Sequence, residues 1–316
     1  MSNSEKQLDI RVNGRYRLLR RLGDGSYGVI YEGLDVKTFQ PVALKLEHTR
    51  SEHSESLRNE IDIYKCLVGG AGIPELYWDG EEGDYNVMVF ELLGPNLEVL
   101  FNYCRRQFSL RTVLMLADQL IRRFKYIHSK GFIHRDVKPE NLLMGRSIRG
   151  NVVYIVDIGL AETFTTTDSS RNGQPLEREG PVLGTVRYAS INALRGTKQS
   201  PADDMEALGY VLVYFLQQGK LPWIGLPANN PSEKELAVLQ KKQSTSPKEL
   251  CDGLPDEFVK YFDHIRKSCD NNQSINHNYV LDLFRRLFLR RGFKYDNVYD
   301  WTVLKYVEQL KEHEVS

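Results

Sequence analysis

An α+β fold is predicted for this chain, with a small β-rich N-lobe carrying one main helix ahead of a larger, mostly helical C-lobe. Three observations carry that expectation. Short runs of alternating apolar residues, broken by Gly, Pro and charged turns, fill residues 15–92. One stretch in that region has apolar residues spaced at three and four instead. After Gly94-Pro95 the spacing turns helical and stays so for most of the chain.

The elements follow in order. A polar tail, 1–14, precedes Tyr16-Arg17-Leu18-Leu19-Arg20-Arg21-Leu22, which alternates as a strand does. Glycines stand at 23, 25 and 28, and Val29-Ile30-Tyr31 resumes a strand; Pro41-Val42-Ala43-Leu44-Lys45-Leu46 is another. Residues 54–68 place Leu57, Ile61, Tyr64 and Leu67 on one helical face, and strands fit 75–80 and 86–92. Beyond Gly94-Pro95, Ser109 is positioned to N-cap a long helix whose inward face is Val113, Leu116, Leu120, Phe124 and Ile127. Gly131 ends it. The remainder reads as helical apart from a polar segment, 163–184, and a loop rich in Asn, Pro and Ser, 226–233. The expected organisation is a tail, 1–14, a folded domain, 15–302 (lobes 15–92 and 94–302), and a short C-terminal tail, 303–316.

Composition narrows the function class. The 316 residues suffice for two packed lobes, and 41% hydrophobic with 27% charged residues is the balance of a soluble globular protein. Forty-two basic residues offset 42 acidic ones, so no general affinity for nucleic acid or anionic membrane is expected. Cys66, Cys104, Cys251 and Cys269 share no close spacing, which argues against a zinc site or a disulfide framework. The polar N-terminus lacks the apolar core of a signal peptide, and no run is long enough to span a bilayer. A cytoplasmic or nuclear monomer, without membrane insertion, is the expectation.

The chemistry concentrates in His134-Arg135-Asp136-Val137-Lys138-Pro139-Glu140-Asn141 and in Asp157-Ile158-Gly159, which follows the apolar run Val152-Val153-Tyr154-Ile155-Val156. This set suits phosphoryl transfer. Asp136 can take the proton of an attacking hydroxyl, Lys138 can neutralise a moving phosphoryl group, and Asn141 with Asp157 can hold magnesium by hard oxygens. A Gly-x-Gly-x-x-Gly run alone is a weak signal, because dinucleotide-binding folds use it to open a helix. Here a strand continues beyond the third glycine, so Leu22, Gly23, Gly25, Ser26, Tyr27 and Gly28 are expected on a hairpin lying over phosphates. Lys45, one strand later, can reach the α- and β-phosphates. A charge in a half-buried strand needs a partner, and Glu60 is the candidate.

These residues resemble the catalytic loop and metal-binding triplet of protein kinases. The likeness extends to the casein kinase 1 family through Gly83-Asp84-Tyr85-Asn86 to Gly94-Pro95-Asn96-Leu97, through Ser190-Ile191-Asn192 where most kinases have Ala-Pro-Glu, and through Leu221-Pro222-Trp223 and Arg291-Gly292-Phe293. It covers roughly residues 15–301. The resemblance implies a bilobal protein kinase fold and an adenine pocket walled by Ile30, Ala43 and Leu143. It implies backbone contacts to the purine from Glu91 and Leu93, Phe90 as the gate at the back, and Asp204 holding the catalytic loop. ATP as co-substrate, magnesium, and Ser/Thr acceptors on protein substrates follow from it.

Two departures bear on specificity and activity. The family's anion site, which favours primed or acidic substrates by charge-assisted hydrogen bonds, keeps Arg187, with Gly219 and Lys220 nearby. Gly180 and Pro227 stand where two basic residues belong, and Glu177 and Glu179 flank Arg178, so a weakened preference for primed sites is expected. Ile158 replaces the usual Phe but remains apolar, so activity is expected to persist. The alternative is a pseudokinase acting as a binding module. Against it stands the complete set of Lys45, Glu60, Asp136, Lys138, Asn141 and Asp157. A small-molecule kinase is disfavoured by the segment between Asp157 and Asn192, which resembles that of protein kinases and would carry a peptide platform.

Overall fold

Period-two alternation builds the first of two units in the computed structural model, which describes residues 9–25, 28–51, 56–164, 184–270 and 274–315. That unit comprises Met1–Gly94 with Val156–Gly159. Its strands are β1 (Arg11–Val12), β2 (Tyr16–Gly25), β3 (Gly28–Asp35), β4 (Pro41–His48), β5 (Leu76–Glu82) and β6 (Tyr85–Glu91), and its helix is α1 (Ser56–Cys66). The strands form one antiparallel sheet in the order β1-β2-β3-β4-β6-β5. The register pairs Leu44 with Val89 and Leu46 with Val87. Val42, Leu44, Val87 and Val89 therefore share a face and pack with Val12 and Tyr16 into a dry cluster. Val12 belongs to the stretch expected as a tail; pairing with Tyr16 makes it the sheet's first strand.

The opposite face of β4 carries Ala43, Lys45 and Glu47, all buried. Burial of both faces explains why this strand reads as a nearly continuous run. Glu47 accepts a hydrogen bond from the backbone N–H of Leu57 at 3.0 Å, so the first turn of α1 is capped from the sheet. A carboxylate at that end also suits the helix dipole. Leu57, Ile61, Tyr64 and Leu67, the predicted inward face, are all buried.

The second unit, Pro95–Ile155 with Leu160–Ser316, is mostly helical. Its elements are α2 (Leu97–Tyr103), α3 (Leu110–Ser129), β7 (Phe132–Ile133), β8 (Leu142–Met144), β9 (Val153–Ile155), β10 (Glu162–Thr163), α4 (Ile191–Arg195), α5 (Pro201–Leu216), α6 (Pro231–Ser244), α7 (Pro247–Leu250), α8 (Asp256–Asp270), α9 (His277–Arg290) and α10 (Asp300–Val315). The short strands pair as β7 with β10 and β8 with β9. Helix α5 is buried nearly all round, from Ala202 to Phe215, as a central core helix must be. Ser109 caps α3 by accepting from Thr112 N at 3.2 Å, and the five residues of its predicted stripe are fully buried. Among the described residues, no helix is long and apolar enough to cross a membrane.

Two boundaries differ from expectation. Residues 303–315, set apart as a short C-terminal tail, continue the helix that begins in the folded domain, α10. The start of that helix is tied down, with Asp300 accepting from Ser109 N at 2.6 Å and Ser109 Oγ at 2.8 Å, and Trp301 stacking on Tyr299 at 4.6 Å. The loop expected at 226–233 ends early, because Asn230 accepts from Glu233 N at 2.9 Å and Pro231 opens α6. Asn before Pro is a cap followed by a preset first turn.

Candidate active site

Chemistry-bearing residues gather in two groups, one in each unit. In the first unit, antiparallel register sets Ile30 beside Lys45, Lys45 beside Met88, and Ala43 beside Phe90. Ile30, Ala43, Lys45 and Phe90 thus share the sheet face away from the valine–leucine cluster. Lys45 is 3% exposed, and its Nζ lies 2.6 Å from Glu60 Oε2 and 3.2 Å from Asp157 Oδ1. Burial pulls the ammonium toward its neutral form, yet Glu60 and Asp157 outweigh that and raise its pKa above the ordinary lysine range. Burial also raises the Glu60 carboxyl, against the pull of Lys45. The arrangement is a dry cation held between two carboxylates.

Asp157 sits in the left-handed region at φ 59°, a costly conformation for a residue with a Cβ. Its backbone hydrogen-bonds the fully buried hydroxyl of Tyr64. Tyr64 lies four residues after Glu60, so one face of α1 supplies both partners. Ile158, next in the chain, is 1% exposed. The smaller side chain is still fully packed.

The glycine run folds as expected. Gly25 pairs with Gly28 across β2 and β3, and β3 continues as a strand. A Cβ on Gly28 would come within 2.5 Å of Leu46 O, so the backbone approach there requires glycine. Leu22 is exposed at the edge of this hairpin, and Gly23 pairs with Ile30. Ser26 and Tyr27 lie outside the described residues. Glu91 ends β6, where its N–H donates to Glu75 O at 2.9 Å, and Leu93 follows, half-buried.

In the second unit, the loop from β7 to β8 carries Asp136, which is 4% exposed and fully engaged. Its Oδ2 accepts from Lys138 Nζ and, at 3.2 Å, from Asn141 Nδ2. Its Oδ1 accepts from Thr185 N at 3.0 Å and Thr185 Oγ1 at 3.3 Å. Asn141 Nδ2 also donates to Asp136 O at 3.0 Å. The amide nitrogen therefore faces Asp136 and leaves the amide oxygen for another partner, as a magnesium ligand requires. An amide oxygen is a hard donor of the kind that ion takes, and the Asp157 carboxylate of the first unit is another such donor. Leu143 lies on β8, half-buried, and bridges to Asn96.

Asp204, at the start of α5, holds this loop. It accepts from His134 N at 2.7 Å, from Arg135 N at 2.9 Å, and meets His128 Nε2 at 2.9 Å. Burial alone would raise its pKa, but the His128 hydrogen bond and nearby histidine charge hold it below the ordinary carboxylate range. Arg135 takes φ 69°, and its Nε donates to Leu160 O at 2.6 Å. Backbone strain is thus held in place at Arg135, next to Asp136, and at Asp157.

Sequence reasoning missed Thr185 and Tyr64. Thr185 follows Gly184, where a Cβ would fall 2.9 Å from Asp136 Oδ1; a Gly-Thr pair closing the polar segment was the available signal. Tyr64 read only as core. Arg187 is exposed, its guanidinium resting over the rings of Tyr188 and Tyr214 at 5.8 and 5.9 Å. Glu177, Arg178, Glu179 and Gly180 lie outside the described residues.

The second unit thus holds a carboxylate ringed by four donors on a loop, and the first an ammonium pinned between Glu60 and Asp157, residue types that suit phosphoryl transfer. The family model for the protein kinase domain matches residues 16–283. That span takes in the glycine hairpin, the Lys45 pair, the loop of Asp136, Asp157 and Asp204, so this chain belongs to the protein kinase domain family.

Proposed function

We propose that this protein is an ATP- and magnesium-dependent serine/threonine kinase of the casein kinase 1 type, acting on protein substrates. The observation that carries the reading is the state of Asp136, held at both oxygens by Lys138, Asn141 and Thr185. In this reading Asp136 receives the proton of the substrate hydroxyl, and its partners fix its direction, since positioning and electrostatics dominate this chemistry. Lys138 neutralises charge on the γ-phosphoryl as it moves. Lys45, oriented by Glu60, holds the α- and β-phosphates, and the hairpin of Gly23, Gly25 and Gly28 covers them. Ile30, Ala43 and Leu143 wall the adenine, Glu91 and Leu93 offer backbone partners, and Phe90 limits access behind it. Asn141 and Asp157 each offer magnesium a hard oxygen, and the bound ion would offset phosphate charge.

Acceptor type rests on the resemblance in Ser190-Ile191-Asn192 and the segment before Pro95. Preference for primed sites is weak in this reading. Arg187 is available over its two rings, but Pro227, exposed after α5, adds no charge.

Peptide-library phosphorylation with labelled ATP and magnesium tests the whole reading. Transfer to Ser/Thr peptides is expected, with Asp136→Asn about 10²- to 10⁴-fold slower. Phosphoserine three residues before the acceptor should bring only a small gain. Binding of Mg·ATP without transfer to any peptide would support the pseudokinase alternative, and a parent-like Asp136→Asn enzyme would remove Asp136 from its role.

A further inference from the structure

Lys242 lies in Gln240-Lys241-Lys242-Gln243, a stretch that reads as the solvated face of a helix, yet it is wholly buried. Its ammonium sits 4.6 Å from the ring centre of Tyr210 and 4.8 Å from that of Trp223. It donates to Ala189 O at 2.5 Å and Val186 O at 3.2 Å. Trp223 adds a third contact to the same backbone, its Nε1 donating to Arg187 O at 2.8 Å. These three carbonyls belong to the stretch that begins at Thr185, the residue whose N–H and hydroxyl meet Asp136.

The far end of the stretch is held by carboxylates. Ser190 Oγ donates to Asp203 Oδ1 at 2.7 Å, and Ile191 N to Glu206 Oε2 at 3.1 Å. Glu206 also accepts from the Tyr210 hydroxyl at 2.5 Å. Burial pulls the Lys242 pKa down from 10.5 to about 7, against the opposing pull of Glu206. A buried amine does what an apolar residue cannot, and here that is to donate to two carbonyls of one irregular segment.

We infer that Lys242, with Tyr210 and Trp223, is a positioning clamp that sets segment 185–191 and, through Thr185, fixes Asp136 for phosphoryl transfer. Lys242 touches no reacting atom. Its effect reaches the site along four peptide units, and a shift of Thr185 frees Oδ1 of Asp136 to turn.

The inference rests on the kinase reading above, and its test separates the two. Lys242→Met keeps the stem volume between the rings and removes the ammonium. On the full chain, kcat should fall by about 10- to 100-fold, as for a displaced catalytic group, with KM for ATP within about twofold. Exchange of the Thr185 amide should accelerate by about tenfold or more while the α3 amides keep their protection. Unchanged Thr185 exchange overturns the inference, and so does faster exchange at parent-like kcat. Should Lys242→Met fail to fold, Trp223→Phe keeps an aromatic face and removes the donor to Arg187 O together with one ring's volume. The same pattern at smaller amplitude is then expected, and parent-like exchange at Thr185 overturns the clamp. A parent chain that phosphorylates no peptide defeats the kinase reading, whereas the exchange arm still reads whether Lys242 holds Thr185.

Discussion

Lys45 shows how much a single buried charge constrains. Desolvation of an ammonium at 3% exposure is tolerable only because Glu60 and Asp157 both reach it. Removing one partner leaves charge uncompensated in a dry site. Glu60→Gln should therefore destabilise the chain by about 3 kcal/mol, read by urea denaturation. It should also raise KM for ATP, because Lys45 is then oriented by Asp157 alone. A variant with parent stability would show that water, not Glu60, satisfies the ammonium. The pair was legible in sequence, since a lysine in an apolar strand calls for a carboxylate and the next helix supplies one. Tyr64 was not, because a tyrosine on an apolar helical face gives no sign of where its hydroxyl points.

Elements were legible wherever one face is dry and the other wet. The stripe of α3 was read correctly, because burial of one face imposes a period that the residues display. Boundaries were less legible. Helix α10 begins at Asp300, whose carboxylate binds Ser109 N and Oγ from a distant part of the chain. Ser109 Oγ also accepts from Thr112 N, so one hydroxyl serves two helix starts. Ser109→Ala should cost about 1–2 kcal/mol, the loss of an N-cap together with a hydrogen bond to a charged group. Chemical denaturation measures it, and a loss no larger than a surface substitution gives would mean that Asp300 is satisfied by the backbone N–H alone. The reading of the glycine run as a hairpin succeeded for a related reason. Strand residues follow Gly28 directly, and a helix opening has no use for Val29-Ile30-Tyr31 in alternation.

At the scale of the whole molecule, stability is tied to pH through a chain of three side chains in the second unit. His277 Nε2 lies 2.8 Å from His128 Nδ1, and His128 Nε2 lies 2.9 Å from Asp204, which holds the loop of Asp136. Burial first, then His128 and Lys125, push the His277 pKa down from 6.5 to about 3. The unfolded chain binds this proton below 6.5 and the folded chain does not until near 3. Stability from His277 is therefore complete above 6.5 and is lost as pH falls from there toward 3. Replacing His277 with Asn should make the drop in thermal midpoint between about pH 7.5 and about pH 5 smaller than in the parent, by roughly 2–4 °C. An equal drop in both would place the acid sensitivity elsewhere.

Local chemistry and periodicity, which a chain carries in its own order, determined the α+β class, the candidate residues from Lys45 to Asp157, and membership of the protein kinase domain family. Folding alone decided that Lys242 is buried under Ala189 O, that Thr185 meets Asp136, and that Tyr64 holds Asp157. Those contacts satisfy polar groups of irregular backbone with donors far away in the chain. Periodicity records which face of an element is dry, whereas the partner of a lone carbonyl is set only when distant segments meet.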